Sequence, residues 1–363
     1  MRKLAAVSQQ QPISRFRYLR IFLSDFVLAP LLLLCLLNAE LVTYGLRMGK
    51  GQLNIVWNAR PFEEVYADAT VSDSVKAQLR LIEEIKQFAY DSVGLKHSDN
   101  YTAFFDQKGQ RLMYVVSAAE RFELKPYEWS FPIVGDVPYR GFFSEEKAKE
   151  EYYRLRMLGY DANIGGAAGW STLGWFKDPV LSSMLKYKEG DLAELLIHEL
   201  THGTLFVKDS IDYNENLAQF VGVEGAKWFL RSKYGKNSPE LQEYETSLAE
   251  DEFKAQFMVQ EARKLDSLYK VMNAPAKSFS NMQKEQMRQT YFLDVWRRAT
   301  RLELKSDRTF PQRILSAMAR SGNTLFLQYV RYEGRKDDFS LLFVNAGRNV
   351  REFVRLMTAK YGT

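Results

Sequence analysis

The chain has 363 residues, of which 46% are hydrophobic, 14% aromatic and 26% charged. That balance is globular rather than disordered, and the length suits two ordinary domains or one large domain with an anchor. A net charge of +5, with no basic base-reading helix, arginine–glycine run or cysteine–histidine finger, gives no footprint for nucleic acid, and the single Cys35 forbids an internal disulfide.

The N-terminus is basic and then apolar. Arg2, Lys3, Arg15, Arg17 and Arg20 precede any acidic residue. Phe26 to Leu37 is unbroken apolar, and Ile21 to Ala39 nearly so, with Asp25 near its edge. The shorter run fits a signal-peptide core, and the longer one a short membrane-spanning helix. Leu37-Asn38-Ala39 is a poor cleavage signal, because a bulky residue stands where a small one is wanted. Residues 1–47 therefore read as a basic tail with an uncleaved membrane anchor. The cations hold its start in the cytoplasm, and residues 48–363 are exported. Secretion after signal cleavage is the alternative.

Beyond the anchor the elements alternate. Ser72 to Val93 has the apolar spacing of an amphipathic helix. "YTAFFDQ", "RLMYVVSAAERF" and "YEWSFPIVGDVPYRGFF" are short β-rich runs between polar or Gly/Pro punctuation. Ser144 is a good cap for a helix running to Tyr160. "DANIGGAAGWSTLGWF" then reads as an open, glycine-rich strand. Glycines from Gly165 to Gly174 would let a substrate backbone approach such an edge, although turns would use them equally well. "DPVLSSMLKY" reads as a short helical piece.

The next helix carries the chemistry. The chain has three histidines, and two of them, His198 and His202, flank Glu199 in a His-Glu-x-x-His motif. Leu192, Leu195, Leu196, Ile197 and Leu200 give the segment an apolar band, and Gly190-Asp191 gives it a start. On a helix, a spacing of four leaves two side chains about 40° apart and about 6 Å along the axis, so both imidazoles can reach one cation. Glu199 is then close enough to act on a water at the metal without being a ligand. The plain rival is a helix whose histidines merely pack or face solvent.

Catalytic zinc takes three protein ligands and leaves one position open. Glu215, at the start of a second helix, is the expected third ligand, with Asp209, Asp212 and Asn214 as possible caps before it. Glu224 is the alternative, more than two helical turns on. One cysteine rules out a thiolate-rich structural site. From about Leu217 to the end nearly everything reads as helix, broken near Pro239, Pro275, Pro311 and Gly322. The expected fold is α+β. Residues 48–190 form a helix and sheet part, 191–233 the metal-site helices and 234–363 a helical part.

"VPYRGFFSEEKA", "LGYDANIGGAAGWSTLGWFKDPVLSSML", "LLIHELTH" and "FVKDSIDYNENLAQFVGVEGA" together resemble the bacterial putative aminopeptidase family. So do "GKGQLNIVWNARPFEEV" and the C-terminal "SGNTLFLQYVRYEGRKDDFSLLFVNAGRNVREFVRLM". The resemblance runs from about residue 44 to 360. It implies a zincin-like, gluzincin-type metallopeptidase that is exported or membrane-associated, with His198, His202 and Glu215 (in "NExxA") as ligands of one Zn2+ and Glu199 as base. One departure stands out. Ser130 and Asp136 occupy places flanking "FPIVG" where many members carry cysteines, so a local bridge is absent.

The expected activity is hydrolysis of peptide bonds, by an aminopeptidase. Tyr139, Arg140 and Tyr213 are candidate oxyanion donors, and Ser171 and Thr172 are further substrate-binding candidates. Tyr139, Arg140 and Tyr213 each also have an ordinary packing or surface reading. The expected partners are a peptide substrate and the membrane, not nucleic acid. The rivals are an endopeptidase of the same zinc class and an inactive, membrane-anchored binding protein.

Overall fold

The structure, a computed structural model, describes residues 39–131, 135–166, 177–208, 210–333 and 339–361. The chain divides into two units, residues 1–54 and 55–363. Of the first unit, only the start of helix α1 (Ala39–Asn58) is described. Among the described residues no helix is long and apolar enough to cross a membrane. The expected anchor, Ile21 to Ala39, lies outside them except for Ala39.

Among the described residues of the larger unit, eight short strands come first: β1 (Arg60–Pro61), β2 (Ala103–Phe105), β3 (Tyr114–Ala119), β4 (Trp129–Phe131), β5 (Gly135–Val137), β6 (Arg140–Phe142), β7 (Asp161–Gly166) and β8 (Val180–Leu181). Helices α2 (Phe62–Ala67), α3 (Asp73–Phe88) and α4 (Glu145–Met157) are set among them. The Ser72 hydroxyl accepts from Val75 N and starts α3. Leu79, Ile82 and Ile85 recur at helical spacing and are buried. A π-turn, Ala89–Val93, ends α3 at Gly94, whose φ of 86° only glycine adopts freely. Ser144 caps α4 in the same way as Ser72 caps α3.

The strands form three sheets. β1-β2-β8 is mixed, with β1 antiparallel and β8 parallel to β2. β6-β3-β7 is antiparallel, with Val116 opposite both Arg140 and Ile164. β4 and β5 form a hairpin. In it Ser130 stands directly opposite Asp136, and its hydroxyl donates to Asp136 Oδ1 at 2.5 Å. The two residues flanking "FPIVG" are thus cross-strand partners joined by a hydrogen bond.

The rest is helical: α5 (Glu189–His202), α6 (Ile211–Tyr234), α7 (Pro239–Met272), α8 (Asn281–Ala299), α9 (Phe310–Ser321), α10 (Asn323–Glu333), α11 (Ser340–Asn345) and α12 (Val350–Tyr361). Pro239 opens α7 behind the Ser238 cap, where its missing N–H costs nothing. The architecture is α+β, mostly helical with small sheets.

Two details differ from the sequence reading. "DPVLSSMLKY" is not simply helical. Val180 and Leu181 pair with Phe104 and Phe105 as β8, and only a 3-10 turn, Met184–Lys186, follows. The sheet that shares a core with α5 is β1-β2-β8. Phe104, Val180 and Leu181 pack in one cluster with Leu192, Leu196 and Leu200. The glycine-rich strand β7 instead pairs along the whole of β3, and Val116, Ala118, Leu155 and Ala162 form a second core there.

Asp161, at the start of β7, ties that sheet to the helices. It is 1% exposed and accepts from Arg288 Nη2 of α8 at 2.5 Å and from Asn323 N of α10 at 2.8 Å. Gly322 passes so close that a Cβ would lie 2.1 Å from Asp161 Oδ2.

Candidate metal centre

Helix α5 buries Leu192, Ala193, Leu196, Ile197 and Leu200 and keeps His198 and His202 half-buried on another side. Their Nε2 atoms are 3.1 Å apart. Glu215, in the second turn of α6, brings Oε2 to 3.5 Å from His198 Nε2 and Oε1 to 3.4 Å from His202 Nε2. Tetrahedral zinc with bonds of 2.0–2.1 Å holds its donors about 3.3 Å apart. The two imidazole nitrogens are near that separation, each has one of the two Glu215 oxygens at a similar distance, and nitrogen and carboxylate donors suit the ion. Among the described residues this is the one group of three such donors gathered so closely.

Three features of the local sequence put Glu215 there. Asn214 is buried, and its side chain accepts from Val207 N at 2.7 Å and donates to Val207 O at 2.8 Å. It therefore pins the α5–α6 loop rather than capping the helix as the sequence suggested. The residue before α6 is Ser210, which makes no side-chain cap bond. Asp209 and the side chain of Asp212 lie outside the described residues. Next, Gly222 faces α5: a Cβ there would stand 2.9 Å from Glu194 O and 3.2 Å from His198 Cβ. Gly225 meets Ile197 in the same way, at 3.0 Å. These two glycines let the helix backbones approach at the level of the first histidine. Finally, the helical repeat excludes Glu224. At 100° per residue, its place nine residues after Glu215 is on the opposite face of α6, where it pairs with Lys227 at 2.7 Å.

Glu199 points into a buried environment. Burial pushes its carboxyl up from the ordinary range; His198 opposes this, and the negative charges of Glu215 and Asp178 reinforce it. His202 is pushed down by burial and by His198, against Glu215, which favours the neutral imidazole a metal requires. Glu215 is held low, first by its hydrogen bond with His198, which together with the charges of both histidines outweighs burial.

The other candidates make different contacts. Tyr139 is half-exposed between β5 and β6. Arg140 pairs with Val116 in the second sheet and lies over the Phe142 ring. Tyr213 packs edge-on against Phe339 and Tyr361. Ser171 and Thr172 lie outside the described residues. Tyr101 and Asp178 were not singled out from the sequence. Both are buried, and Tyr101 N donates to Asp178 O at 2.6 Å. Tyr101 holds a left-handed φ of 58°, uncommon for a tyrosine, while the buried Lys86 donates to its carbonyl. The phenol of Tyr101 is pushed well up by burial, and Glu199 and Asp178 add to the shift, which places all three in one neighbourhood.

Fold and site together define an α+β protein in which two packed helices carry a His–His–Glu donor group beside a half-buried glutamate. The chain belongs to the family described as Putative aminopeptidase, whose model matches residues 43–360. Membership suggests peptidase activity. No curated protein matches the chain, and no solved structure does.

Proposed function

We propose that the chain is a zinc-dependent peptidase of the zincin-like, gluzincin type, acting as an aminopeptidase, with His198, His202 and Glu215 holding one Zn2+. The observation that carries this reading is the gathering of the three donor groups: the imidazole nitrogens are 3.1 Å apart, and the two Glu215 oxygens lie 3.5 Å from His198 and 3.4 Å from His202. A bound zinc ion supplies positive charge that acidifies water and polarises the scissile carbonyl. Glu199 takes the proton from the attacking water as its oxygen bonds to the carbonyl carbon. It then hands that proton to the leaving nitrogen as the C–N bond breaks. The half-buried setting of Glu199 suits both duties, because it brings the carboxyl closer to neutrality.

The full-length protein is expected to contain one zinc per chain and to cleave fluorogenic peptides with a free N-terminus faster than blocked ones. His198→Ala and His202→Ala should each lose the metal. Full metal content in both variants, by elemental analysis, would remove the basis of the proposal. Equal cleavage of blocked peptides would move it to an endopeptidase.

The basic, then apolar N-terminus supports a membrane-anchored enzyme whose catalytic part is exported. Phosphatase and fluorescent-protein fusions at the C-terminus should report an extracytoplasmic side. A fluorescent, phosphatase-negative C-terminus would contradict export.

A further inference from the structure

Glu194 lies one turn before His198 on α5, and Gln219 one turn after Glu215 on α6. Gln219 Nε2 donates to Glu194 Oε1 at 2.6 Å. The other oxygen, Oε2, accepts from the Tyr244 hydroxyl of α7 at 2.5 Å. Tyr244 reaches it by lying against α5 at Gly190, where a Cβ would stand 2.6 Å from the ring. Both oxygens of one carboxylate are thus engaged, each by a different helix. Residues 194 and 198 face residues 219 and 215 in reverse order, so the two helices run antiparallel and this contact is the next rung after the donor group.

That position matters because Glu215 is weakly held from its other side. Its side chain is 57% exposed, and α6 starts without a side-chain cap. A side chain about 5–6 Å from a helix axis moves about 1 Å for each 10° of rotation. Metal ligands tolerate only about 0.2 Å. Gly222 allows the close approach but does not fix rotation, since a glycine has no side chain to interlock. The Glu194 rung adds a directional contact that resists rotation.

We infer that Glu194, Gln219 and Tyr244 form a positioning bridge that sets the rotation and register of α6 against α5 and so holds Glu215 at coordination distance from the two histidines. The inference rests on the metal reading proposed above. The bridge works through geometry: Gln219 and Tyr244 are donors, and what they need is a planar acceptor of the right length. Glu194→Gln keeps that shape and one acceptor oxygen, whereas Glu194→Leu keeps neither.

The test uses the full-length protein in detergent, with zinc affinity measured by chelator competition and the absorption band of the cobalt-substituted protein as a second readout. Tyr244→Phe removes only a hydroxyl, and Gln219→Leu removes one donor group. Each is expected to weaken zinc binding about 10- to 100-fold, the usual effect of losing a group that orients a ligand. The cobalt band should shift or change shape, with Glu194→Gln nearer to wild type than Glu194→Leu. A merely structural defect would scale the band with the folded fraction and leave its shape alone. Unchanged affinity and an unchanged band in both Tyr244→Phe and Gln219→Leu would overturn the bridge. If the wild-type chain takes up neither zinc nor cobalt, the metal reading itself fails, which is a different result from a metal-loaded wild type with indifferent variants.

Discussion

Glu199→Gln protein is expected to keep its zinc and lose peptide hydrolysis by at least about a hundred-fold, and by as much as ten-thousand-fold, the range that a positioned general base contributes. The separation of binding from turnover follows from geometry. The donor group is made by His198, His202 and Glu215 without Glu199. Glutamine is nearly the same size as glutamate, so the packing around position 199 stays filled, but it cannot accept and return a proton. Glu215→Gln should behave differently, because it weakens a donor: zinc affinity and activity should fall together. Elemental analysis beside turnover on one peptide separates the two variants. Hydrolysis that persists in a zinc-loaded Glu199→Gln protein would make the motif a structural site, and the proposed mechanism would be wrong.

What the sequence disclosed is what depends on short-range spacing. His198 and His202 are four apart, and a helix turns that spacing into 3.1 Å between ring nitrogens. Ser72 and Ser144 stand just before apolar periodic runs, and both cap the helices that follow. Two acids half a turn apart in phase cannot both face the histidines, and the fold turns Glu215 toward them and Glu224 toward Lys227. What stayed hidden depends on pairing across long stretches of chain. Val180-Leu181 reads locally as part of a helical piece, yet Phe104 and Phe105 draw it into a strand. Asn214 has the chemistry of a cap but is used by Val207, seven residues back. Gly222 and Gly225 stand in the quoted "VGVEGA", but their purpose becomes clear only when α5 passes against them. Tyr101 and Asp178 approach Glu199 from separate segments, and no local pattern announces them. Tyr139, Arg140 and Tyr213 have the chemistry of oxyanion donors. Residue type says which groups can stabilise an oxyanion, not which ones the fold brings near it.

The same long-range logic predicts the largest stability effect outside the candidate site. Arg288→Met should destabilise the protein by about 3–5 kcal/mol at neutral pH, the typical loss when one partner of a buried ion pair is removed. Arg288 is 2% exposed, and Asp161 would be left charged in the same dry space; Arg121 and Arg156 are its next cations, at 3.8 and 4.0 Å. Burial already pushes the Asp161 carboxyl above its ordinary value, against the pull of Arg288 and the Asn323 N–H. Without Arg288 it must rise further. A carboxyl whose folded value exceeds its unfolded one binds a proton more readily when folded. Its stabilising contribution is therefore complete below the ordinary carboxylate range and is lost as pH rises through the raised value. The Arg288→Met defect should accordingly shrink as pH falls toward that range, because Asp161 can take up a proton in place of its lost partner. Adding Asp161→Asn should recover part of the loss at neutral pH, since the amide carries no charge to strand and Asn323 N can still donate to its oxygen. Urea unfolding of the wild type, Arg288→Met and the double variant at neutral and mildly acidic pH measures both effects. An Arg288→Met loss that stays the same at both pH values, with no recovery in the double variant, would mean that the charge of Asp161 is not what Arg288 compensates, and that the arginine acts through its packing against Phe292 instead.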